Sequence, residues 1–149
     1  YLSWIAKKNN VQTKLIYQAG KINSNMPKWI INEILKKKKL KKVLIIGVAY
    51  KKDLDDTRES PSIDFIKILT KKKIEVDFHD PLVKVLSSRK LKKTYKSIPI
   101  DIRSLNDYDC VIILTDHTNI NYKLIKKHSK LIVDTRNIYN EKTDKILKL

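Results

Sequence analysis

V-L-I-I-G-V-A-Y-K-K-D-L-D-D-T-R-E-S-P, residues Val43 to Pro61, decides the fold of this 149-residue chain. Its opening run, Val43 to Ile46, is β-branched, too short for a helix and apolar at every position, which predicts a strand buried on both faces. Gly47 closes the run with a residue free to leave the strand at a sharp angle. Tyr50, Lys51 and Lys52 follow at once. Ser60-Pro61 then predicts a helix start: Ser60 as cap, Pro61 at the first helical position, and Asp64 complementing the positive dipole end. The whole is a strand, a loop rich in charge, and a helix. In an open α/β sheet that order places ligand groups at the carboxyl rim.

Outward from this unit, toward the amino terminus, Leu2, Ile5 and Ala6 precede Lys7 and Lys8 as the end of an amphipathic helix, broken by Asn9-Asn10. A second helical pattern runs from Val11 to about Leu40, with Leu15, Ile16, Ala19, Ile22, Met26, Ile30, Ile31, Ile34 and Leu35 at three- and four-residue steps. Pro27 is expected to kink or restart it. Two readings stand side by side: a helix packing against another domain or a second copy, or an ordinary core helix broken at Pro27. Lys36 to Lys42 is nearly all lysine, and reads either as a nucleic-acid patch or as a solvated junction at a helix end.

Toward the carboxyl terminus, Ile63, Phe65, Ile66, Ile68 and Leu69 give a helix, and Ile74, Val76 and Phe78 alternate with polar residues as a strand. Asp80-Pro81 makes a turn, and His79 reads as an outward strand residue rather than a ligand. A short helix is expected around Val83 to Leu86, then a basic loop; Ile102 to Asn106 has no decisive pattern. Cys110 to Leu114 is a second buried strand, Tyr122 to Lys127 a short helix, and Leu131 to Val133 the last strand. Helical crossovers of this length imply a parallel sheet with helices on both faces, an α/β fold. Three polar clusters then share one rim: Tyr50-Lys51, Thr115 to Asn119, and Asp134 to Asn137.

Apolar residues make up 42% of the chain and no segment nears the roughly 18 apolar residues of a membrane span, so a soluble cytoplasmic protein is expected. A single cysteine excludes an internal disulfide. The chain opens on Tyr1, which suggests processing or a piece of something longer. The net charge of +17 is carried by lysines spread along the sequence beside many Ile and Asn, a codon-bias pattern as well as a polyanion-binding one.

With only Gly20 and Gly47 present, neither G-x-G-x-x-G nor a P-loop exists. The phosphate-binding resource is therefore Lys51, Arg58 and Arg136 with the helix start at Ser60-Pro61. No set of His, Cys, Asp and Glu has metal-ligand spacing. Cys110, inside an apolar strand with no adjacent cation, reads as inert core rather than a nucleophile. His117 reads either as a general base or as a hydrogen-bonded loop histidine.

The string from Gly47 to Pro61, with D-P at Asp80-Pro81 and V-D-T-R-N at Val133 to Asn137, resembles the carboxyl-terminal domain of the UDP-glucose/GDP-mannose dehydrogenase family. Y-L-S-W-I-A-K-K at the start and I-N-S-N-M-P at Ile22 to Pro27 resemble the family's central helices. The resemblance covers nearly the whole chain in order. It implies a Rossmann-like domain over residues 41–149, preceded by a partial helical arm over residues 1–40 that makes a homodimer. It also implies the family's reaction, in which NAD oxidises the sugar C6 alcohol of a nucleotide sugar to a carboxylate through a thiohemiacetal on a cysteine, a step in polysaccharide biosynthesis.

By position, the resemblance implies that Tyr50, Lys51 and Arg136 contact the UDP-sugar, and that Arg58 reaches NAD held chiefly by an amino-terminal domain. The T-D-H and D-T-R-N strings are most similar to the branch acting on UDP-N-acetylhexosamines. The family's catalytic cysteine and its glycine-rich domain both precede the segment matching Tyr1, and Cys110 does not match that cysteine. The expectation is a carboxyl-terminal piece that binds UDP-sugar, dimerises, engages neither nucleic acid nor membrane, and does not catalyse alone. Two competing expectations are a basic nucleic-acid-binding module and a remnant that only dimerises.

Overall fold

The computed structural model describes residues 1–141 and 143–149. Two helices lead: α1, Leu2–Lys8, and α2, Lys14–Lys37. Between them Asn10 takes the left-handed conformation, φ 57°, that asparagine tolerates better than most residues, which is how Asn9-Asn10 ends α1. α2 continues as one helix through Pro27. The proline's missing N–H leaves the Asn23 carbonyl without its helical partner, and Asn23 is exposed, where water meets that need.

Then come β1, Lys42–Ile46, α3, Ser62–Lys71, and β2, Glu75–His79, the unit expected around Val43 to Pro61. In β2 only Val76 and Phe78 are buried, as the alternation required. β3, Val85–Leu86, and β4, Tyr95–Lys96, form a small antiparallel ribbon. This corrects the short helix expected at Val83 to Leu86. Val85 is exposed while Leu86 is buried against the core, the period of a strand, and four residues are too few to separate it from a helical period. α4, Ile102–Asp107, resolves the ambiguous Ile102 to Asn106 through a capping box. Asp101 Oδ1 accepts the Ser104 N–H at 2.7 Å, and Ser104 Oγ accepts the Asp101 N–H at 3.1 Å.

β5, Cys110–Ile113, α5, Tyr122–His128, and β6, Ile132–Asp134, follow as expected. β6 is not the last strand. β7, Ile146–Lys148, pairs parallel to it at the sheet edge, and its single buried residue, Ile146, in an Ile-Leu pair bounded by Lys145 and Lys148, gives no strand signal in the sequence.

The five-stranded sheet runs β2-β1-β5-β6-β7, all parallel. Because side chains alternate, each central strand feeds two cores. Val43 and Ile45 join Cys110, Ile112 and Val133 on one face, packed under Ile31 and Ile34 of α2 and Phe65, Ile66 and Leu69 of α3. Leu44 and Ile46 join Val111, Ile113 and Ile132 on the other, under Leu105 of α4 and Ile125 of α5. The second half of α2 is thus built into the sheet core, whereas residues 14–25 are exposed throughout. No described helix is long and apolar enough to cross a membrane.

Candidate functional site

From β1 the chain steps outward to β2 on one side and, later, to β5 on the other. The carboxyl ends of β1 and β5 therefore flank the point where strand order reverses, and their loops diverge to open a crevice. Gly47, φ 75°, makes the first turn there. A Cβ at this position would collide with the Thr115 backbone and side chain, so the two strand ends touch because residue 47 is glycine. Thr115 Oγ1 then donates to the Ala49 carbonyl at 2.6 Å.

Beneath this contact lies Asp80, fully buried, at the end of β2. Its Oδ2 accepts the N–H of Val48 at 2.8 Å and of Ala49 at 3.3 Å, and its Oδ1 accepts those of Leu82 and Val83, both at 2.9 Å. A charge with no water around it is tolerated because donors fill its lone pairs. His117, also fully buried, adds Nε2 at 3.1 Å from Asp80 Oδ2, and its Nδ1 accepts the Asp53 N–H at 2.9 Å. The Asp53 carboxylate in turn takes the Thr118 N–H at 2.8 Å and hydroxyl at 2.6 Å, which hold its carboxyl below the ordinary range. The loop after β1 is pinned to the loop after β5 at both ends of Asp53.

Across β5, the loop after β6 is anchored by Asp134. Its Oδ1 accepts the Arg136 N–H and its Oδ2 the Tyr139 N–H, each at 3.0 Å. Tyr139 hydroxyl donates to the Tyr122 carbonyl at 2.9 Å, and Tyr122 hydroxyl to the His117 carbonyl at 3.0 Å. Burial raises both phenols above their ordinary value, so they remain donors.

On this scaffold Tyr50 is half-exposed, its N–H donates to the Asp56 carbonyl at 2.7 Å to close the loop, and Lys51 Nζ lies 5.7 Å from its ring centre. Arg136 is exposed and donates Nε to the Leu114 carbonyl at the end of β5. Arg58 grips Asp56 through Nε and Nη2, at 2.9 and 2.8 Å, and together with its own N–H depresses that carboxyl to about 2. Arg58 also borders a cavity of about 270 Å3 shared with Ser60, Ser87, Ser88 and Lys90. Lys51, Arg58 and Arg136 thus stand on one rim, on loops after β1 and β6, each tied to its own anchor and to no partner in common.

α3 starts one residue later than expected: Pro61 rather than Ser60 is its N-cap and no side chain caps it, while Ser60 Oγ accepts the Ser62 N–H at 3.3 Å in the turn before it and Ser62 Oγ donates to the Val48 carbonyl. Cys110 sits wholly inside β5, where burial pushes its thiol up to about 12. His79 is half-buried and meets the Ile98 carbonyl through Nδ1. Among the described residues no group of three or more His, Cys, Asp or Glu is placed to hold a metal ion. Sequence reasoning missed Asp53, Asp80 and Thr118 as organisers of the rim. Asp80-Pro81 read as a turn and as one motif of the family resemblance, and nothing in a linear sequence tells that residues 53, 80 and 117 meet.

Comparison with known proteins falls on this same construction. Residues 44–141 match the UDP-glucose/GDP-mannose dehydrogenase family, UDP binding domain. A UDP-N-acetyl-D-mannosamine dehydrogenase of Methanococcus vannielii is 32% identical over 92% of this chain and 33% of its own length. One from Pyrococcus horikoshii is 32% identical over 85% of this chain and 31% of its own. The chain therefore spans about a third of the length of the curated relatives it matches. The solved UDP-D-ManNAc dehydrogenase of P. horikoshii superposes with a TM-score of 0.74 at 27% identity, covering 96% of this chain and 35% of that one. A GDP-mannose dehydrogenase of Pseudomonas aeruginosa reaches 0.83 at 19% identity over 99% and 36% of the two chains, a likeness of fold alone. The strand, loop and helix from Val43 onward, the switch point they form and these matches agree: the chain belongs to the UDP-glucose/GDP-mannose dehydrogenase family, and residues 44–141 are its UDP binding domain.

Proposed function

We propose that this chain is the carboxyl-terminal part of an NAD-dependent nucleotide-sugar 6-dehydrogenase that oxidises the C6 alcohol of a UDP-sugar, a UDP-N-acetylhexosamine, to the uronate. Tyr50 and Lys51 from one side of the β5 end, and Arg136 from the other, hold the UDP-sugar. Lys51 and Arg136 supply the charge a diphosphate needs, and the Tyr50 ring supplies a flat surface beside it. The observation that carries this reading is that both loops converge on the end of β5: Thr115 on Ala49, and Arg136 on Leu114. The names of the relatives, UDP-N-acetyl-D-mannosamine dehydrogenases, favour an N-acetylated sugar.

NAD, when bound, supplies the hydride acceptor. Neither glycine of this chain offers a cradle for it, since Gly20 lies within α2 and Gly47 abuts Thr115. Arg58 fits the cofactor from this side: its side chain is 88% exposed, and the Asp56 fork leaves Nη1 without a partner among the described residues. An amino-terminal NAD-binding domain is the partner this reading requires. Cys110 is no nucleophile at a pKa of about 12, so the 149 residues alone bind without catalysing. Within residues 1–40, the exposed part through residue 25 acts as the arm of a homodimer. Leu15, Ile16 and Ile22 of α2 and Trp4 of α1 are all exposed apolar side chains.

Calorimetric titration of the chain with UDP tests this. Millimolar or tighter binding, weakened about tenfold or more in Lys51→Ala, is the expected result. Strongly salt-dependent duplex binding with no UDP response marks a nucleic-acid module instead, and an intact dimer with no nucleotide affinity marks a remnant.

A further inference from the structure

We propose that His117 is the positioning residue of the Tyr50–Lys51 loop, acting as a neutral imidazole protonated on Nε2 that captures the Asp53 N–H on Nδ1. The ligand in this inference rests on the nucleotide-sugar reading above; the geometry stands on its own.

The hydrogen-bond partners of the ring leave it one arrangement; its other charged neighbour, Asp53 Oδ1, lies 3.7 Å from Nδ1, beyond hydrogen-bond reach. At Nε2 the partner is Asp80 Oδ2, 3.1 Å away, an oxygen already accepting from Val48 and Ala49, so Nε2 carries the hydrogen and donates. At Nδ1 the partner is a backbone N–H, 2.9 Å away, which has only a hydrogen to give, so Nδ1 is bare and accepts. A proton on Nδ1 would face the Asp53 hydrogen directly and break the contact.

The loop depends on that contact because it has little else. Residues 51–55 are all exposed and bury no side chain. Asp53 holds a φ of 56°, a left-handed conformation that aspartate tolerates better than most residues but that still carries a backbone cost. What fixes the loop is the Tyr50 N–H on the Asp56 carbonyl, the Asp53 carboxylate on exposed Thr118, and the Asp53 N–H on His117. Only the third reaches a fully buried partner, shielded from competing water. The same residue takes the Tyr122 hydroxyl on its carbonyl, and through Tyr139 and Asp134 that chain of bonds ends at the Arg136 N–H. His117 is thus the shared anchor of both loops assigned to the UDP-sugar, and a general base it is not: its bare nitrogen is occupied by backbone.

Three measurements on the 149-residue chain decide this. Long-range proton–nitrogen correlation spectra are expected to show His117 protonated at Nε2 only; a hydrogen on Nδ1 overturns the proposal. His117→Gln keeps a donor for Asp80 and loses the ring acceptor, so Asp53 amide exchange is expected to quicken about tenfold or more and UDP affinity to fall about tenfold. Within Lys51→Ala the same substitution is expected to cost less UDP affinity than in the parent chain, because part of its effect runs through Lys51. Unchanged Asp53 exchange, or an equal loss with and without Lys51, overturns the positioning role. Should His117→Gln not fold, the tautomer of the parent chain still decides, since a hydrogen on Nδ1 overturns the proposal. Should the parent chain bind no UDP, the nucleotide-sugar reading fails, while the tautomer and Asp53 exchange still decide what His117 does.

Discussion

The rim of the sheet and the leading arm solve opposite problems. On the rim, Asp80, His117, Thr115 and Asp134 are all buried, and each finds hydrogen-bond partners within the chain. Along α1 and the first half of α2 nothing is buried, and Leu2, Trp4, Leu15 and Ile22 face outward at half or more of their full exposure. The rim is therefore shaped before any ligand arrives, and binding there reorders little. The arm is the reverse, a surface that leaves large apolar side chains exposed. One region has its polar groups satisfied from within; the other keeps apolar groups in solvent.

If that contrast is right, damage to the rim harms folding and damage to the arm does not. Gly47→Val carries the largest expected effect. It puts a branched side chain at a φ of 75° and into the Thr115 backbone, and urea titration is expected to show a loss of about 3 kcal/mol or more. Asp80→Ala comes next. It strands the N–H groups of Val48, Ala49, Leu82 and Val83 and the His117 ring, and a loss of about 3 kcal/mol is expected where each orphaned donor alone costs about 1. A loss under about 1 kcal/mol in either variant would mean the rim is looser than its hydrogen bonds suggest.

The sequence disclosed what depends on neighbours in the chain and hid what depends on neighbours in space. Val43 to Ile46 announced a doubly buried strand because both faces of a central parallel strand must be apolar, and Val76 with Phe78 announced β2 by alternation. β3, β4 and β7 stayed silent, being two or three residues long with a single buried side chain each, below the length at which any period shows. Tyr50, Lys51 and Arg136 stood out because they are large or charged and follow strand ends. Asp53 and Asp80 did not, and His117 stayed open between a general base and a hydrogen-bonded loop residue, since an aspartate in a turn and a histidine in a loop look alike whether they organise a rim or merely face water.

A smaller effect separates the exposed ties of the rim from its buried ones. Thr118 holds the Asp53 carboxyl below its usual 3.8, and Arg58 holds Asp56 down to about 2. Groups with depressed folded values stabilise the loop above the unfolded value, so both ties are complete at neutral pH and weaken as pH falls below 3.8, the Asp56 tie being lost toward about 2. Arg58 Nε proton resonances and Asp53 amide exchange are expected to report loosening in that window. Asp56→Asn is expected to abolish the Arg58 response and leave the Asp53 response in place. A response at neutral pH would place the titration in some other group.

The smallest effect on folding is expected in the arm, where the largest effect on assembly is also expected. Leu15 is 84% exposed and Ile22 63%, so Leu15→Glu with Ile22→Glu removes no contact from the core, and stability is expected to move by no more than about 0.5 kcal/mol. Carboxylates within an apolar helix-to-helix contact carry a desolvation penalty that their alkyl predecessors lacked, so sedimentation equilibrium is expected to shift from dimer to monomer. The second half of α2 gives the control. Ile34→Ala, on the same helix but fully buried beneath the sheet, is expected to cost about 2 to 5 kcal/mol and leave association intact in whatever fraction stays folded. Were the two substitutions to behave alike, α2 would be one structural unit throughout. Opposite outcomes place a functional boundary within a single helix, where exposed residues 14–25 give way to the buried Pro27, Ile30, Ile31 and Ile34.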